Sequence, residues 1–241
     1  MSIAFSDTVN LTGIVQQTRN MLRVDATQYP TARIVNSANN WLDTVAGYAI
    51  GADRRFQWDD SNHTKLPIGT TNLTLNQSDY SFLTDEQGNS ILNLTRIDIL
   101  DASGIYRQLK VIDQTDVDGA LDEFYSATGL PEYYDKIADN IIRLYPTPAV
   151  SVTAGLKFYF QRTPSYFTAS DTTKVPGVPA LLHRGFIIAS VYDALLSGIG
   201  AADVGAVSVE MQKEEKKMRE FFQSRNTDET PVMMPVNIDS V

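Results

Sequence analysis

Apolar residues recur every three or four positions at both ends of this chain and every second position in its middle, and few folds accommodate that double switch. Near the N-terminus, Leu11, Ile14, Val15, Met21 and Leu22, with Thr18 completing the stripe, predict a first helix that Ser6, Asp7 or Thr8 would cap. A second helix is expected after Tyr29-Pro30, since proline suits the first helical turn. Its apolar face is Ile34, Ala38, Trp41, Leu42 and Val45, and Gly47 and Gly51 mark the exit. The simplest account is a helical hairpin that hides its seam.

Helices return at the other end. Pro176 and Pro179 lead into "ALLHRGFIIASVYDALLSGIG", where Leu182, Phe186, Ile187, Ala189, Val191, Ala194 and Leu195 make the helix apolar almost all round. Such a helix is buried on several sides. A last helix, from about Ala202 to Ser224, carries Met211, Met218, Phe221 and Phe222 on one side and mixed charge on the other. Glu215 and Arg219 stand in the favourable order for a helical ion pair, worth a few tenths of a kcal/mol at most. The Lys/Glu run around them reads as a solvated face.

From Asp53 to about Lys174 the period is two, the mark of half-buried strands. "FQWDD" and "NLTLNQ" alternate, and "LTRIDILD" and "IYRQLKVID" flank Ala102-Ser103-Gly104 as a β-hairpin. "TDVDGALDEFYSATG" predicts a short helix that Gly129 and Pro131 end. "EYYDKI" and "NIIRLY" form a second hairpin around Ala138-Asp139. In "LKFYFQR", Leu156, Phe158 and Phe160 point one way while Lys157, Tyr159 and Gln161 point the other. The expected fold class is α+β: a helical body of two N-terminal and two C-terminal helices with a central antiparallel β-meander and hairpin extension. The expected organisation is a single domain over 1–225, its helical parts 1–50 and 177–225 packed together and β-rich 51–176 inserted, then an extended tail over 226–241.

Composition narrows the chemistry. The 241 residues are 43% hydrophobic and 20% charged, ordinary for a folded chain, and no apolar run approaches the ~20 residues of a membrane span. "MSIAFSDTVN" has neither a basic start nor an apolar stretch, so synthesis and retention in a cytoplasm are expected. With no cysteine, disulfides, thiolate catalysis and cysteine-held metals are out. A net charge of -9 argues against a protein that grips phosphates with clustered Lys and Arg, though acid can let DNA slide past.

Catalytic patterns are missing. His63 and His183 have no partner at ligand spacing, and metal sites need three or four convergent ligands. "DQTDVDGALDEF" fails as a calcium loop: aligned on Gly119, its first and twelfth positions are Gln114 and Tyr125, where the twelfth must be a bidentate Glu. No nucleophile elbow, phosphate-cradling glycine loop or zinc-protease motif occurs, so neither a metal nor a cofactor is expected. Asp59 and Asp60 could serve a hydrolase, but neighbours on a strand face opposite ways. The tail "NTDETPVMMPVNIDSV" places Val232, Met233, Met234, Pro235, Val236 and Ile238 in polar surroundings. It is either a frayed terminus or a segment that docks on a neighbouring chain, with its methionines as adaptable contacts.

Three stretches carry a resemblance. "GLPEYY" (Gly129 to Tyr134) is followed by a strand ending "LYPTP" (Leu144 to Pro148) and by a Tyr/Phe-rich strand ending Arg162 to Pro164. A proline-led helix comes next. In that order, from about Thr95 to Leu196, the chain resembles the head-to-tail adaptor proteins of tailed bacteriophages, in particular those of short-tailed phages. The resemblance implies a four-helix body with a β-rich extension, arranged as a ring, usually of twelve copies. It implies as partners the portal protein, identical subunits, and a downstream tail or nozzle protein, with DNA passing through the lumen and a place in the virion neck. Independently, Pro146 and Pro148 would protect a strand edge, and Tyr133, Tyr134, Tyr145, Tyr159 and Tyr166 offer the amphipathic area common at subunit interfaces. Each tyrosine could equally be covered by the chain's own helices. A receptor- or carbohydrate-binding tail module is the alternative function, and a hydrolase using Asp59, Asp60, His63 and His183 a third.

Overall fold

The computed structural model describes residues 2–52, 68–85, 88–113, 115, 126–138 and 140–223. Among them are four α-helices: α1 (Ile14–Leu22), α2 (Thr31–Ala52), α3 (His183–Leu196) and α4 (Val204–Gln223). Between α2 and α3 lie the strands β1 (Ile68–Leu73), β2 (Asp79–Ser81), β3 (Ile91–Leu100), β4 (Tyr106–Gln108) and β5 (Lys110–Val111). They are followed by β6 (Thr128–Gly129), β7 (Tyr133–Ala138), β8 (Ile141–Tyr145), β9 (Thr147–Pro148) and β10 (Val152–Arg162). The architecture is mixed α+β, as the two-period sequence requires.

Helix α3 is the hub, packing against α1, α2 and α4. Ten of its residues are buried, among them Phe186, Ile187, Val191 and Leu195, so its all-round apolarity reflects partners on several sides. Ile34, Ala38, Trp41, Leu42 and Val45 of α2 all enter the same core, as does Met218 with Phe222 from α4. Each fully buried large aliphatic or aromatic side chain here contributes about 1.5–3 kcal/mol. Polar groups are matched at the seam: Asn39 donates to the Phe167 carbonyl at 3.0 Å and accepts from the Phe167 N–H at 2.8 Å. Ser37 donates to Asp193 across α2 and α3 at 2.5 Å.

The first helix departs from expectation. It begins after Gly13, with no side-chain cap, and Leu11 and Met21 are 55% and 45% exposed. Only Ile14, Val15, Thr18 and Leu22 are buried from that stripe. Asp7 instead closes the turn before the helix, accepting from the N–H groups of Val9 and Asn10 and from the Thr12 hydroxyl. Leu11 takes a left-handed backbone there, which ends any helical continuation. Gly47 does not mark an exit, since α2 runs through it to Ala52, whereas Gly51 stands one residue before that end.

The strands have their own core, a second cluster that includes Phe82, Ile97, Ile99, Ile142, Leu144, Leu156, Phe158 and Phe160. One sheet has the order β1-β10-β3-β4 and another β2-β8-β7-β5. The two predicted hairpins, β3-β4 and β7-β8, are present. A sequential meander is not: β10, the last strand, lies between β1 and β3, and β5 leaves its hairpin to pair parallel with β7. Pro148 sits in β9, which pairs parallel with β6 through the N–H groups of Thr147 and Ala149, so its own nitrogen, without a hydrogen, faces the other side of the strand. Gln161, expected on the outer face of β10, is 7% exposed, at a stretch where β3 bulges against β10 by one residue at Thr95 and again at Leu92. "FQWDD", Asp59, Asp60 and His63 lie outside the described residues, as does most of the predicted helix after Thr115.

Candidate assembly surfaces

The tyrosines singled out from the sequence fall into different environments. Tyr133 and Tyr145 are opposite one another on β7 and β8, but Tyr133 is half-buried with the Lys110 ammonium 5.9 Å from its ring, whereas Tyr145 is 2% exposed. Tyr134, beside Leu144, is also half-buried, and burial raises the pKa of its phenol. Tyr166 is 39% exposed and donates to Asp43 of α2 at 2.5 Å. Burial first, then the hydrogen bond and negative charge of Asp43, pushes the Tyr166 pKa up to about 12.

Tyr159 belongs to a different surface. On the face of the β1-β10-β3-β4 sheet opposite Phe158, Lys157 pairs with Asp98 and Tyr159 with Arg96. The Arg96 guanidinium lies 5.7 Å from the Tyr159 ring centre, and the Lys157 ammonium lies 5.6 Å from Tyr159 and 5.1 Å from Tyr106. Arg96 also donates to buried Asp98 at 2.6 Å, and that hydrogen bond raises its pKa further. The result is an aromatic and cationic face on a chain of net charge -9. Such faces can stack on planar or apolar groups and attract anions.

A third surface lies where the C-terminal turns of α2 and α4 meet. Tyr48 of α2 donates to Glu215 at 2.9 Å, and Arg219 of α4 donates to the same Tyr48 oxygen at 2.6 and 3.0 Å and to Glu215 at 2.9 Å. The hydrogen bond to Tyr48 is the main reason that the Arg219 pKa is raised. Beside this cluster is a cleft of about 270 Å³, lined by Gly47, Tyr48, Gly51, Arg219, Phe222 and Gln223. Sequence reading missed the cleft. The available signal was a pair of glycines one turn apart inside a pattern that continues helical through Ala46 and Ala49, both buried.

The chemistry of the remaining candidates is structural. His183 is buried, its Nδ1 accepting from the Ile3 N–H at 3.0 Å and its Nε2 2.8 Å from the Val178 carbonyl. The first contact leaves the hydrogen on Nε2, which donates to the carbonyl, so the ring ties the N-terminal segment to the start of α3. Glu214, in the charged run of α4, is buried and paired with Lys217 at 3.4 Å and Arg184 at 3.8 Å, while the rest of that run is largely solvated. Among the described residues no group of three or more His, Asp or Glu could hold a metal ion, and no helix is long and apolar enough to cross a membrane. Val232, Met233, Met234, Pro235, Val236 and Ile238 lie outside the described residues.

Comparison with known proteins agrees with an interaction role. A family model described as SU10 adaptor protein matches residues 9–238, taking in both helical ends as well as the strands. No curated protein matches the chain.

Proposed function

The chain belongs to the SU10 adaptor protein family, and we propose that it works in the phage virion as a head-to-tail adaptor: a dodecameric ring that docks on the portal protein, continues the DNA channel and receives the next tail or nozzle component. The observation that carries this is the extent of the family match, nearly the whole chain rather than one motif. A bacteriophage adaptor family is a structural family, and the work assigned here is mechanical, with no turnover. In this reading the four helices form the body and make the lateral contacts, and the β-rich residues 51–176 are an extension inserted into one domain of 1–225. Identical copies arranged head-to-tail close a ring by heterologous contacts.

The tyrosines divide accordingly. Tyr133, Tyr134, Tyr159 and Tyr166 retain surface for a neighbouring subunit, whereas Tyr145, opposite Tyr133, is buried. The tail, with Val232, Met233, Met234, Pro235, Val236 and Ile238, orders on assembly against the portal or an adjacent subunit. Acidic side chains lining the lumen keep DNA from adhering, a role that the net charge of -9 supports. Sedimentation of the purified protein with and without its portal tests the proposal. A large ring species that co-sediments with portal is expected. A trimer indifferent to portal would instead favour a receptor- or carbohydrate-binding tail module.

A further inference from the structure

A glycine inside a helix is a poorer helix former than alanine, so its presence asks for a reason. Gly47 and Gly51 have none within the described chain: a Cβ on either would meet nothing within 4 Å. They lie one turn apart on the same face of α2 and floor the cleft walled by Tyr48, Arg219, Phe222 and Gln223. Bare backbone there lets another element come close to the helix. At about 270 Å³ the cleft falls below the roughly 300–1,000 Å³ of small-molecule pockets and suits one or two side chains.

The geometry points to one occupant, the segment 232–236 (Val-Met-Met-Pro-Val) of a neighbouring copy of this chain. The inference rests on the ring reading above. Methionine is unbranched and polarizable, fills irregular gaps and favours contact with aromatic rings, which half-buried Tyr48 supplies. Asp228 and Glu229 precede the apolar run, and no basic residue follows Arg225, so the segment brings negative charge toward Arg219. Gln223, the last described residue of α4, is itself a wall of the cleft, so residues 224–241 follow directly from the cleft in every copy. Residues 224–241 contain Pro231 and Pro235 and no glycine, a composition biased toward extended backbone. At ~3.1 Å per residue, eight residues of such backbone span about 25 Å, length enough to join one copy's α4 to the cleft of another. Cleft and segment are different surfaces, so each copy gives one and receives one, the heterologous arrangement that closes a ring.

The absence of cysteine makes a direct test available. Two full-length single-cysteine variants, Gly51→Cys and Met233→Cys, are mixed under mild oxidant, free at several concentrations and in the presence of portal. A mixed disulfide is expected about tenfold faster than that between Gly51→Cys and Leu83→Cys, an exposed site in the β-rich part, because docking raises the local thiol concentration. Adding Gly47→Leu to the Gly51→Cys chain should slow the reaction about tenfold by filling the cleft, with thermal unfolding unimpaired since leucine is the better helix former. A rate equal to the Leu83→Cys control overturns the inference. So does a disulfide that forms within one chain of the double variant Gly51→Cys/Met233→Cys at every dilution, which would seat the segment in its own cleft. Portal co-sedimentation of the wild type is recorded in parallel. Portal binding without the mixed disulfide overturns the cleft assignment and leaves the adaptor reading standing; the disulfide without portal binding supports the cleft and counts against the adaptor reading.

Discussion

The indole nitrogen of Trp41 occupies the space beside Gly185, so that a Cβ added to Gly185 would fall 2.8 Å from it. Trp41 is buried and cannot swing aside without disturbing the contact between α2 and α3. Gly185→Ala should therefore lose about 1–2 kcal/mol, overpacking outweighing the gain in helix propensity. Gly47→Ala, with open space above it, should gain about 0.5–1 kcal/mol, seen as a rise in Tm of roughly 1–4 °C. Thermal unfolding of the two variants side by side checks both signs.

These two glycines also mark how far the sequence could be read. The helices at both ends were legible because their cores are local stripes: Ile34, Ala38, Trp41, Leu42 and Val45 needed only a period of three and four to be recognised. The two hairpins were legible for the same reason, with alternation and a short turn within one stretch of chain. Strand order was not, since placing β10 between β1 and β3 depends on pairing Ile68 with Tyr159 across some ninety residues of intervening sequence. The cleft was hidden too. A glycine that ends a helix and a glycine that bares a helix surface look alike until the neighbouring helix is in place.

Two Asp–Arg pairs should respond very differently to removal. Asp85 and Arg162 are both buried, 3.3 Å apart, and Asp85 also accepts from the N–H of Asn89 at 2.7 Å and from its side-chain amide at 3.0 Å. Asp85→Ala would leave the Arg162 charge buried without this partner and should cost about 3–5 kcal/mol. Asp79 and Arg143 make a closer, two-pronged pair at 2.6 and 2.9 Å, but both are partly exposed. Asp79→Ala should cost under ~1 kcal/mol. Chemical denaturation with a common slope decides the comparison.

The turn before α1 should make stability depend on acid. The Thr12 hydroxyl, followed by the Asn10 N–H, lowers the Asp7 pKa from 3.8 to about 2. A depressed carboxylate contributes stability above its unfolded pKa and loses that contribution as pH falls through the folded value. The Tm gap between wild type and Asp7→Asn should thus be constant above about pH 5 and close between pH 4 and pH 2. A gap that does not change across that window contradicts the assignment.

Deleting residues 231–241 should leave the folded core intact, because the described residues, which all precede them, form both buried clusters among themselves. The truncated protein should keep its circular dichroism spectrum and fail to join portal rings. Normal assembly by the truncated chain would remove the tail from the account.

The most direct test of the central claim is an electron-microscopy reconstruction of the particle's neck. The account predicts a closed ring of this chain seated between portal and tail, its helical bodies in lateral contact. Infectious particles whose reconstructed neck contains none of this chain would contradict it.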